Sequence, residues 1–132
     1  MNPAEAPVVL PMSPPLQNAT ANTQQGSGGT VQSSNFQSNG LPLLIRVSVS
    51  CWTNEPPGLP LYVGIQIDGI SHGFTQIWAN FVGTHMTMVS NDLVLNGIPA
   101  GNHDLNLMGE ANVITDSNDR VSVLIMEFPP VT

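Results

Sequence analysis

A chain of 132 residues with two arginines, no lysine and nine acidic residues carries a formal net charge of −7. Such a charge would repel the phosphate backbone of a nucleic acid, and we therefore expect no nucleic-acid partner. No stretch reaches the roughly 20 apolar residues of a membrane span, and no basic segment followed by an apolar run opens the chain, so we expect no membrane partner and no targeting segment.

The first forty residues differ in composition from the rest of the chain. Met1–Leu16 is rich in proline, and the residues that follow, up to Gly40, are rich in Gln, Asn, Ser and Gly. Neither piece has enough apolar area to fold alone. We predict an extended N-terminal arm and linker over residues 1–40 and a knob domain over residues 41–132. The arm is either a disordered tail or a segment that becomes ordered on a partner. The arm residues expected to bind the partner are Pro7, Val8, Val9, Leu10, Pro11 and Leu16.

From Leu41 onward, apolar and polar residues alternate with the period of two that is typical of half-buried strands. The alternation is clearest over residues 45–52 and 61–68. Turn sequences separate these two segments from the other predicted strands, at residues 75–80, 85–90, 92–96, 103–108, 112–115 and 121–128. This pattern, with no helical periodicity, predicts an all-β fold: an antiparallel jelly-roll β-sandwich with an extended N-terminal arm.

The single cysteine, Cys51, cannot form an internal disulfide. Its neighbours Ser50 and Trp52 supply no basic group that would lower the pKa of the thiol, so we expect a small buried residue and folding in a reducing cytoplasm.

Gly69-Ile70-Ser71-His72-Gly73 matches the G-x-S-x-G pattern that surrounds the nucleophile of many serine hydrolases. That motif requires a strand before the serine and a helix after it, whereas residues 74–78 alternate like another strand. Asp68-Gly69 is instead a strong signal for a two-residue hairpin turn. We therefore predict a turn at this motif and no catalytic residue.

Two groups of polar residues are candidate metal sites. His72, His85 and His103 fit no compact ligand spacing, and a histidine hydrogen-bonded at a strand end is the commoner case. Residues 116–119 offer three oxygen-bearing side chains but lack the glycine and distal glutamate of a helix-loop-helix calcium site. We predict an Asx-stabilised turn here, with Arg120 paired to a carboxylate of Asp116, Asp119 or a neighbouring subunit. We expect no metal, no cofactor and no enzyme activity.

The second half of the chain carries the residues of a family resemblance. The run Leu93–Leu107, with Pro99-Ala100-Gly101 ahead of His103, and its continuation Thr115–Glu127 resemble the closing strands of tumour-necrosis-factor-like and complement-head-like jelly rolls. In strand order the resemblance covers about residues 38–128. It implies a homotrimer with the last strand near the threefold axis. In bacterial viruses such domains form fibre heads and capsid decoration knobs. The chain lacks the aromatic-rich core strands of the animal receptor-binding members, so cytokine-like activity is not expected.

This resemblance leads to one functional hypothesis and one alternative. We expect a structural virion protein of a bacteriophage, a capsid decoration (cement) protein made in the host cytoplasm and located on the capsid surface. Its trimeric knob and its arm would bind the major capsid protein and stabilise the shell. The alternative is a fibre head, or a receptor- or glycan-binding module, on a virion surface.

Candidate interface and ligand-facing residues follow from these two hypotheses. Both faces of the last predicted strand are apolar, so that one face can pack in the core and the other on the threefold axis. The residues predicted at the trimer interface are Leu124, Met126, Phe128 and Arg120. The aromatic residues predicted to face a glycan are Trp52, Tyr62 and Trp78.

Overall fold

The computed structural model describes residues 10–21 and 26–128, and the side chains of residues 28–128. Every regular element in these ranges is a β-strand, which confirms the predicted all-β class. The strands are β1 (Leu10–Ala21), β2 (Gly26–Ser38), β3 (Leu43–Cys51), β4 (Leu59–Ile67), β5 (Ile70–Ala79), β6 (Met86–Thr87), β7 (Asn91–Leu95), β8 (Gly101–Thr115) and β9 (Arg120–Glu127).

The strands form two antiparallel sheets. The first sheet has the order β1-β9-β3-β6, with β7 also paired to β3, and the second has the order β2-β8-β4-β5. Both β6 and β7 pair with β3, so they are two parts of one interrupted strand. With that strand counted once, the orders become 1-8-3-6 and 2-7-4-5, the strand order of an eight-stranded jelly roll. The predicted jelly-roll sandwich is confirmed.

The core lies between the two sheets and is built by the predicted alternation. Along β3, the inward residues Leu43, Ile45, Val47, Val49 and Cys51 are all completely buried. The same pattern holds along β4, β8 and β9, and the core is aliphatic except for Phe36, Cys51 and Met88. Burial raises the pKa of the Cys51 thiol to about 12, which makes it an inert core residue as expected.

The hairpin at residues 68–69 confirms the turn predicted at the G-x-S-x-G motif. β4 ends at Ile67 and β5 begins at Ile70, and Asp68 and Gly69 both have positive φ, 51° and 80°. This is the geometry of a two-residue hairpin turn between strands that twist to the right. Strands flank the motif on both sides, so Ser71 does not lie at a strand-to-helix elbow.

The sandwich begins earlier in the chain than predicted. β1 pairs antiparallel with β9, and β2 pairs with β8 along most of its length. Residues before 41 therefore supply one strand to each sheet, instead of forming only an arm and a linker. β1 takes an edge position, which suits its prolines because proline has no N–H for a second neighbouring strand.

Several predicted strands differ in length from the observed ones. The strand predicted over residues 75–80 is β5, which begins at Ile70. The segments predicted separately at 103–108 and 112–115 form one strand, β8, because β2 pairs with β8 on both sides of Gly109. The strand predicted over 85–90 contains only the two residues of β6.

Candidate functional site

The outer side of the first sheet carries an apolar surface, which we call the aliphatic face. Its members are the outward side chains Leu44 of β3, Val94 of β7, and Leu124 and Met126 of β9. Leu44 lies directly between Val94 and Met126 in the strand register, so three adjacent strands contribute to one row. Val94 is 65% exposed. A continuous apolar row on the outside of a sandwich is typical of an interface.

A salt bridge lies beside this row. Arg46 is opposite Leu124 on one side and Asp92 on the other. Its guanidinium donates two hydrogen bonds to the Asp92 carboxylate, at 2.7 and 2.9 Å. The hydrogen bond from Arg46 lowers the pKa of Asp92 below its usual value. The aliphatic face therefore contains a charge pair that is neutral as a unit.

The structure places two of the four predicted trimer-interface residues on the aliphatic face. Leu124 and Met126 are half-buried on the aliphatic face, and Phe128 follows β9, where its backbone N–H donates to the Pro42 carbonyl at 2.9 Å. The Arg120 guanidinium donates to the carbonyl oxygens of Ser117 and Asp119, not to the carboxylate of Asp116 or Asp119. Its pairing with a neighbouring subunit and its place at the trimer interface stay predictions.

The predicted arm residues fall in two groups. Leu10, Pro11 and Leu16 lie in β1, opposite Glu127, Met126 and Ile125 of β9, so they are part of the sheet. Residues 12–15 are inserted between consecutive residues of β9, which leaves a bulge in the edge strand. Pro7, Val8 and Val9 lie outside the described residues.

The outer side of the second sheet carries a different surface, which we call the aromatic face. It consists of Tyr62 on β4 and of Phe74 and Trp78 on β5. Phe74 and Trp78 are 52% and 55% exposed. The Tyr62 and Phe74 rings meet edge to face, with centroids 5.1 Å apart and planes at 84°. Two of the three predicted ligand-facing aromatics are therefore on one surface.

Trp52 does not belong to the aromatic face. It follows β3, where its backbone pairs with Ile114, and its ring lies 6.0 Å from the ring of His85. The indole Nε1 is enclosed, and no acceptor within the described part of the chain lies within hydrogen-bonding distance. Trp52 is half-buried beside His85 and lies apart from the rings of the aromatic face.

Sequence reasoning missed Phe74, Leu44 and Val94. The signal for Phe74 was present, because counting by twos from the Asp68-Gly69 turn places Phe74, Gln76 and Trp78 on one side of β5. Leu44 and Val94 are recognised as neighbours only once β3 is known to pair with β7, and no local sequence pattern specifies that pairing.

His103 and Asp68 form a pair at the hairpin. The ring Nδ1 lies 2.6 Å from the Asp68 carboxylate, and Nε2 lies 2.7 Å from the Pro99 carbonyl oxygen. Both neighbours are acceptors, so the ring satisfies both only as the imidazolium. The Asp68 hydrogen bond, and secondarily that of Pro99, raise the pKa of His103. The hydrogen bond from His103 lowers the pKa of Asp68.

A second histidine pair lies at the turn between β8 and β9. The buried Asp119 carboxylate accepts from Ser50 Oγ at 2.9 Å and lies 2.8 Å from His85 Nδ1. The backbone N–H groups of Asp116 and Asn118 donate to Asp119 and Asp116 respectively, which confirms the Asx-stabilised turn. The hydrogen bond to Asp119 raises the pKa of His85.

The histidines do not converge on one site. The one group of three metal-ligating side chains within the described ranges is His85, Asp116 and Asp119, and the hydrogen bonds of the turn account for it. His103 is paired separately, with Asp68. In residues 10–21 and 26–128, no helix is long and apolar enough to cross a membrane.

Comparison with known proteins identifies fold relatives only. No protein-family model matches the chain, and no curated protein matches its sequence. Similar solved structures include the sugar-binding C-terminal domain of EclA, 9% identical over 97% of this chain and 87% of that chain, with a TM-score of 0.43. The CBM36-1 domain of a multidomain xylanase from the hindgut metagenome of Trinervitermes trinervoides is 10% identical, over 96% of this chain and 99% of that one, with a TM-score of 0.39.

VP2 of infectious bursal disease virus is 16% identical over 93% of this chain, which spans 31% of VP2, with a TM-score of 0.45. At this level the similarity to all three concerns the β-sandwich alone, and none of their functions is carried over. The resemblance to trimeric tumour-necrosis-factor-like domains stays a prediction.

Proposed function

We propose that this chain is a structural virion protein, a bacteriophage capsid decoration protein that acts by adhesion and not by catalysis. The observation that carries the proposal is the aliphatic face. It leaves Leu44, Val94, Leu124 and Met126 on the outside of an otherwise complete sandwich. Covering such a face stabilises an assembly by about 25 cal/mol for each Å² of apolar surface removed from water.

A homotrimer is the assembly that we propose for this face. The resemblance implies that the last strand lies near a threefold axis, and β9 provides Leu124 and Met126 to the face while Val121, Val123 and Ile125 fill the core. Three copies that meet around one axis close into a ring, so that no unpaired apolar surface is left to form filaments.

The proposed partner of the trimer is the major capsid protein. β1 lies next to β9 in the sheet that carries the aliphatic face. Pro7, Val8 and Val9, which precede β1, would lie along the shell as an arm. Three arms on one trimer bind more tightly than one, because each bound arm raises the effective concentration of the others.

The location follows from this role: synthesis in the host cytoplasm, then the outer surface of the capsid. We propose neither a nucleic-acid nor a membrane partner, since the chain carries −7 charges and its two cationic side chains are both on the first sheet or at its end. The alternative function, a fibre head or a receptor- or glycan-binding module, would use the opposite side of the sandwich, where Tyr62 and Trp78 lie.

Two measurements test the proposal. Light scattering of the purified full-length chain should give the mass of three copies. The trimer should then bind undecorated capsid shells saturably, and removal of residues 1–9 should weaken the binding by at least tenfold while the trimer persists. The deletion stops before β1, so that the first sheet keeps its edge strand. A Val89→Ala variant, altered at an exposed apolar residue of a loop, is the control.

A monomer in solution would overturn the trimer. Trimers that fail to bind the shell, or that bind equally well without residues 1–9, would overturn the decoration role.

A further inference from the structure

We propose that the aromatic face is a binding site for an uncharged oligosaccharide. The site belongs to the second sheet, whereas the proposed trimer uses the first, so the inference does not depend on the assembly. Four features of the face carry it: the row of exposed rings, a groove beside them, the amide side chains between them, and the charge.

The exposed rings form a row that is long enough for several sugar units. Phe74 and Trp78 are four residues apart on the same side of β5, which places them about 13 Å apart along the strand. Tyr62 lies on β4 opposite Gln76, between them. Aromatic rings offer a flat apolar surface on which the C–H side of a sugar ring stacks. Two separated rings favour an oligosaccharide over a single sugar.

A groove lies at the Phe74 end of the row. Gly64, directly opposite Phe74, contributes no side chain and so forms its floor. The walls are Tyr62, Phe74, Ser71 and Glu110, and the volume is about 380 Å³. This lies in the range of small-ligand sites. Ser71 and Glu110 line this groove, and a hydroxyl and a carboxylate are groups that hydrogen-bond the hydroxyl groups of a sugar.

Uncharged polar side chains surround the rings. Gln76 lies between Phe74 and Trp78 on β5, and Gln66 on β4 lies opposite Asn106 on β8. An amide both donates and accepts hydrogen bonds, as a sugar hydroxyl does. The aliphatic face has no such alternation of flat rings with amides. The difference favours a hydroxylated ligand over a second copy of this chain.

Charge decides between neutral and anionic sugars. The two arginines, Arg46 and Arg120, are both in strands of the first sheet, and the chain has no lysine. The second sheet instead exposes Asp104 and Glu110 on β8. A sialylated, sulfated or phosphorylated glycan would bring its negative charge towards these carboxylates without a cationic partner. The site therefore selects an uncharged glycan.

The experiment begins with an array of neutral oligosaccharides, together with their sialylated and sulfated counterparts, probed with the full-length protein. We expect binding to at least one neutral series, with the tetrasaccharide bound at least tenfold more tightly than the monosaccharide. Binding to none of the neutral glycans, or tighter binding to the anionic counterparts, would overturn the proposal.

Intrinsic fluorescence then locates the site, because the chain has only two tryptophans. Titration of the best neutral tetrasaccharide should change the emission. The change should persist in Trp52→Phe, since Trp52 packs beside His85, and disappear in Trp78→Phe. The opposite result in this matched pair would place the ligand elsewhere.

Two further variants test the row and the groove. Phe74→Ala should weaken tetrasaccharide binding at least tenfold. Gly64→Leu should fill the groove and weaken it similarly. A Cβ at Gly64 would be in ordinary contact, 3.7 Å from the Met108 carbonyl oxygen, so the sheet itself accommodates the first atom of the new side chain.

The control is Val94→Ala on the aliphatic face, which should bind the tetrasaccharide as the natural chain does. Thermal unfolding of each variant separates a lost site from a lost fold. Equal losses in Phe74→Ala and Val94→Ala, with both proteins folded, would contradict the assignment to the aromatic face.

Discussion

The two outer faces of the sandwich are built on the same backbone pattern and differ in what points outward. On the first sheet, the outward residues of one row across three adjacent strands are aliphatic or thioether side chains, Val94, Leu44 and Met126. On the second sheet, they are the rings Tyr62, Phe74 and Trp78, with Gln76 among them. Aliphatic side chains gain free energy mainly from the area they bury, and rings with amides also select a partner by shape and hydrogen bonding.

One alternating framework thus presents two chemically different outer surfaces. Most inward residues of both sheets are hydrophobic and pack in the same core. The outward residues carry no such constraint, because water on the outer face tolerates many side chains. Variants at outward positions should therefore separate the two faces, and variants that join the sheets should affect both.

The largest effect is expected at Glu127, which connects the two sheets. Its side chain is completely buried in β9, and its carboxyl oxygens accept from Ser38 Oγ at 3.0 Å, Asn39 N at 2.6 Å and Asn39 Nδ2 at 2.8 Å. Ser38 ends β2, in the other sheet. Glu127→Ala leaves three donors without their acceptor and should lower the free energy of unfolding by about 3 kcal/mol or more.

Urea denaturation followed by tryptophan fluorescence measures this loss. Glu127→Gln, which keeps the shape and one acceptor oxygen, should be less damaging and serves as the matched control. If the alanine variant unfolds entirely, the glutamine variant still gives a measurable midpoint. Trimer formation and oligosaccharide binding should fall together at the temperature where each variant unfolds, and the loss of one without the other would show that Glu127 does not join the faces.

The next largest effect should be confined to the aliphatic face. Leu44→Asp places a carboxylate in the middle of the row between Val94 and Met126, so an assembly that covers the row would bury an unpaired charge. We expect the dissociation constant of the trimer to rise by about 100-fold or more, with the knob still folded. Sedimentation at several concentrations measures it.

Thr87→Asp is the control for Leu44→Asp, because Thr87 is also exposed on the first sheet but lies outside the row. It should remain trimeric. If both variants dissociate equally, the effect must be attributed to general charge repulsion and not to the row. Oligosaccharide binding should be unchanged in both variants.

A smaller effect on stability, centred on the second sheet, is expected from a change of pH. Asp68 and His103 pair at the hairpin that joins β4 to β5. In the folded protein the pKa of His103 is raised above its usual value of about 6.5. The stabilisation that the pair gives the fold is therefore complete below pH 6.5 and is lost as the pH rises through the folded pKa. His85, with a pKa raised by Asp119, acts in the same direction.

The melting temperature should therefore fall as the pH rises above about 6.5, through the raised pKa values of the two histidines. Asp68→Asn should flatten this slope, because it removes the carboxylate while asparagine still tolerates the positive φ of 51° at this position. Hydrogen exchange should show β4 and β5 loosening more than β3 and β9. If the slope of melting temperature against pH is unchanged in Asp68→Asn, the pH dependence would have to be attributed to His85.

The framework could be predicted from the sequence where alternation is strong. β3, β4 and β9 have an aliphatic residue at every second position, and the Asp68-Gly69 turn sets the register of one hairpin. β2 could not be predicted in this way. Val31 and Phe36 are its only two hydrophobic residues, and a register shift between Thr30 and Gln32 breaks the period. The strand conformation of β2 is stabilised by its pairing with β8, not by its own residue composition.

The sites were predicted in part for a similar reason. Tyr62 and Trp78 were recognised from residue type, but type alone did not separate them from Trp52, since the separation depends on which strands are neighbours. The pairs that fix the histidines join residues far apart in sequence, such as His85 with Asp119 and His103 with Asp68. Such contacts depend on which distant strands become neighbours in the fold, and a short stretch of sequence does not contain that information.

The smallest effect on stability is expected at the salt bridge on the aliphatic face. Arg46 and Asp92 are each about half exposed, so water and salt screen their attraction, and Asp92→Asn should scarcely change the melting temperature of a monomeric knob that carries Leu44→Asp. In the trimer the pair would be covered, and the same substitution would leave the Arg46 charge without its partner in a dry interface. Asp92→Asn should therefore weaken trimer formation measurably while leaving the monomer unaffected. A salt-sensitive loss of stability in the monomer, with no loss of association, would place the pair outside the interface and limit the aliphatic face to the Val94, Leu44 and Met126 row.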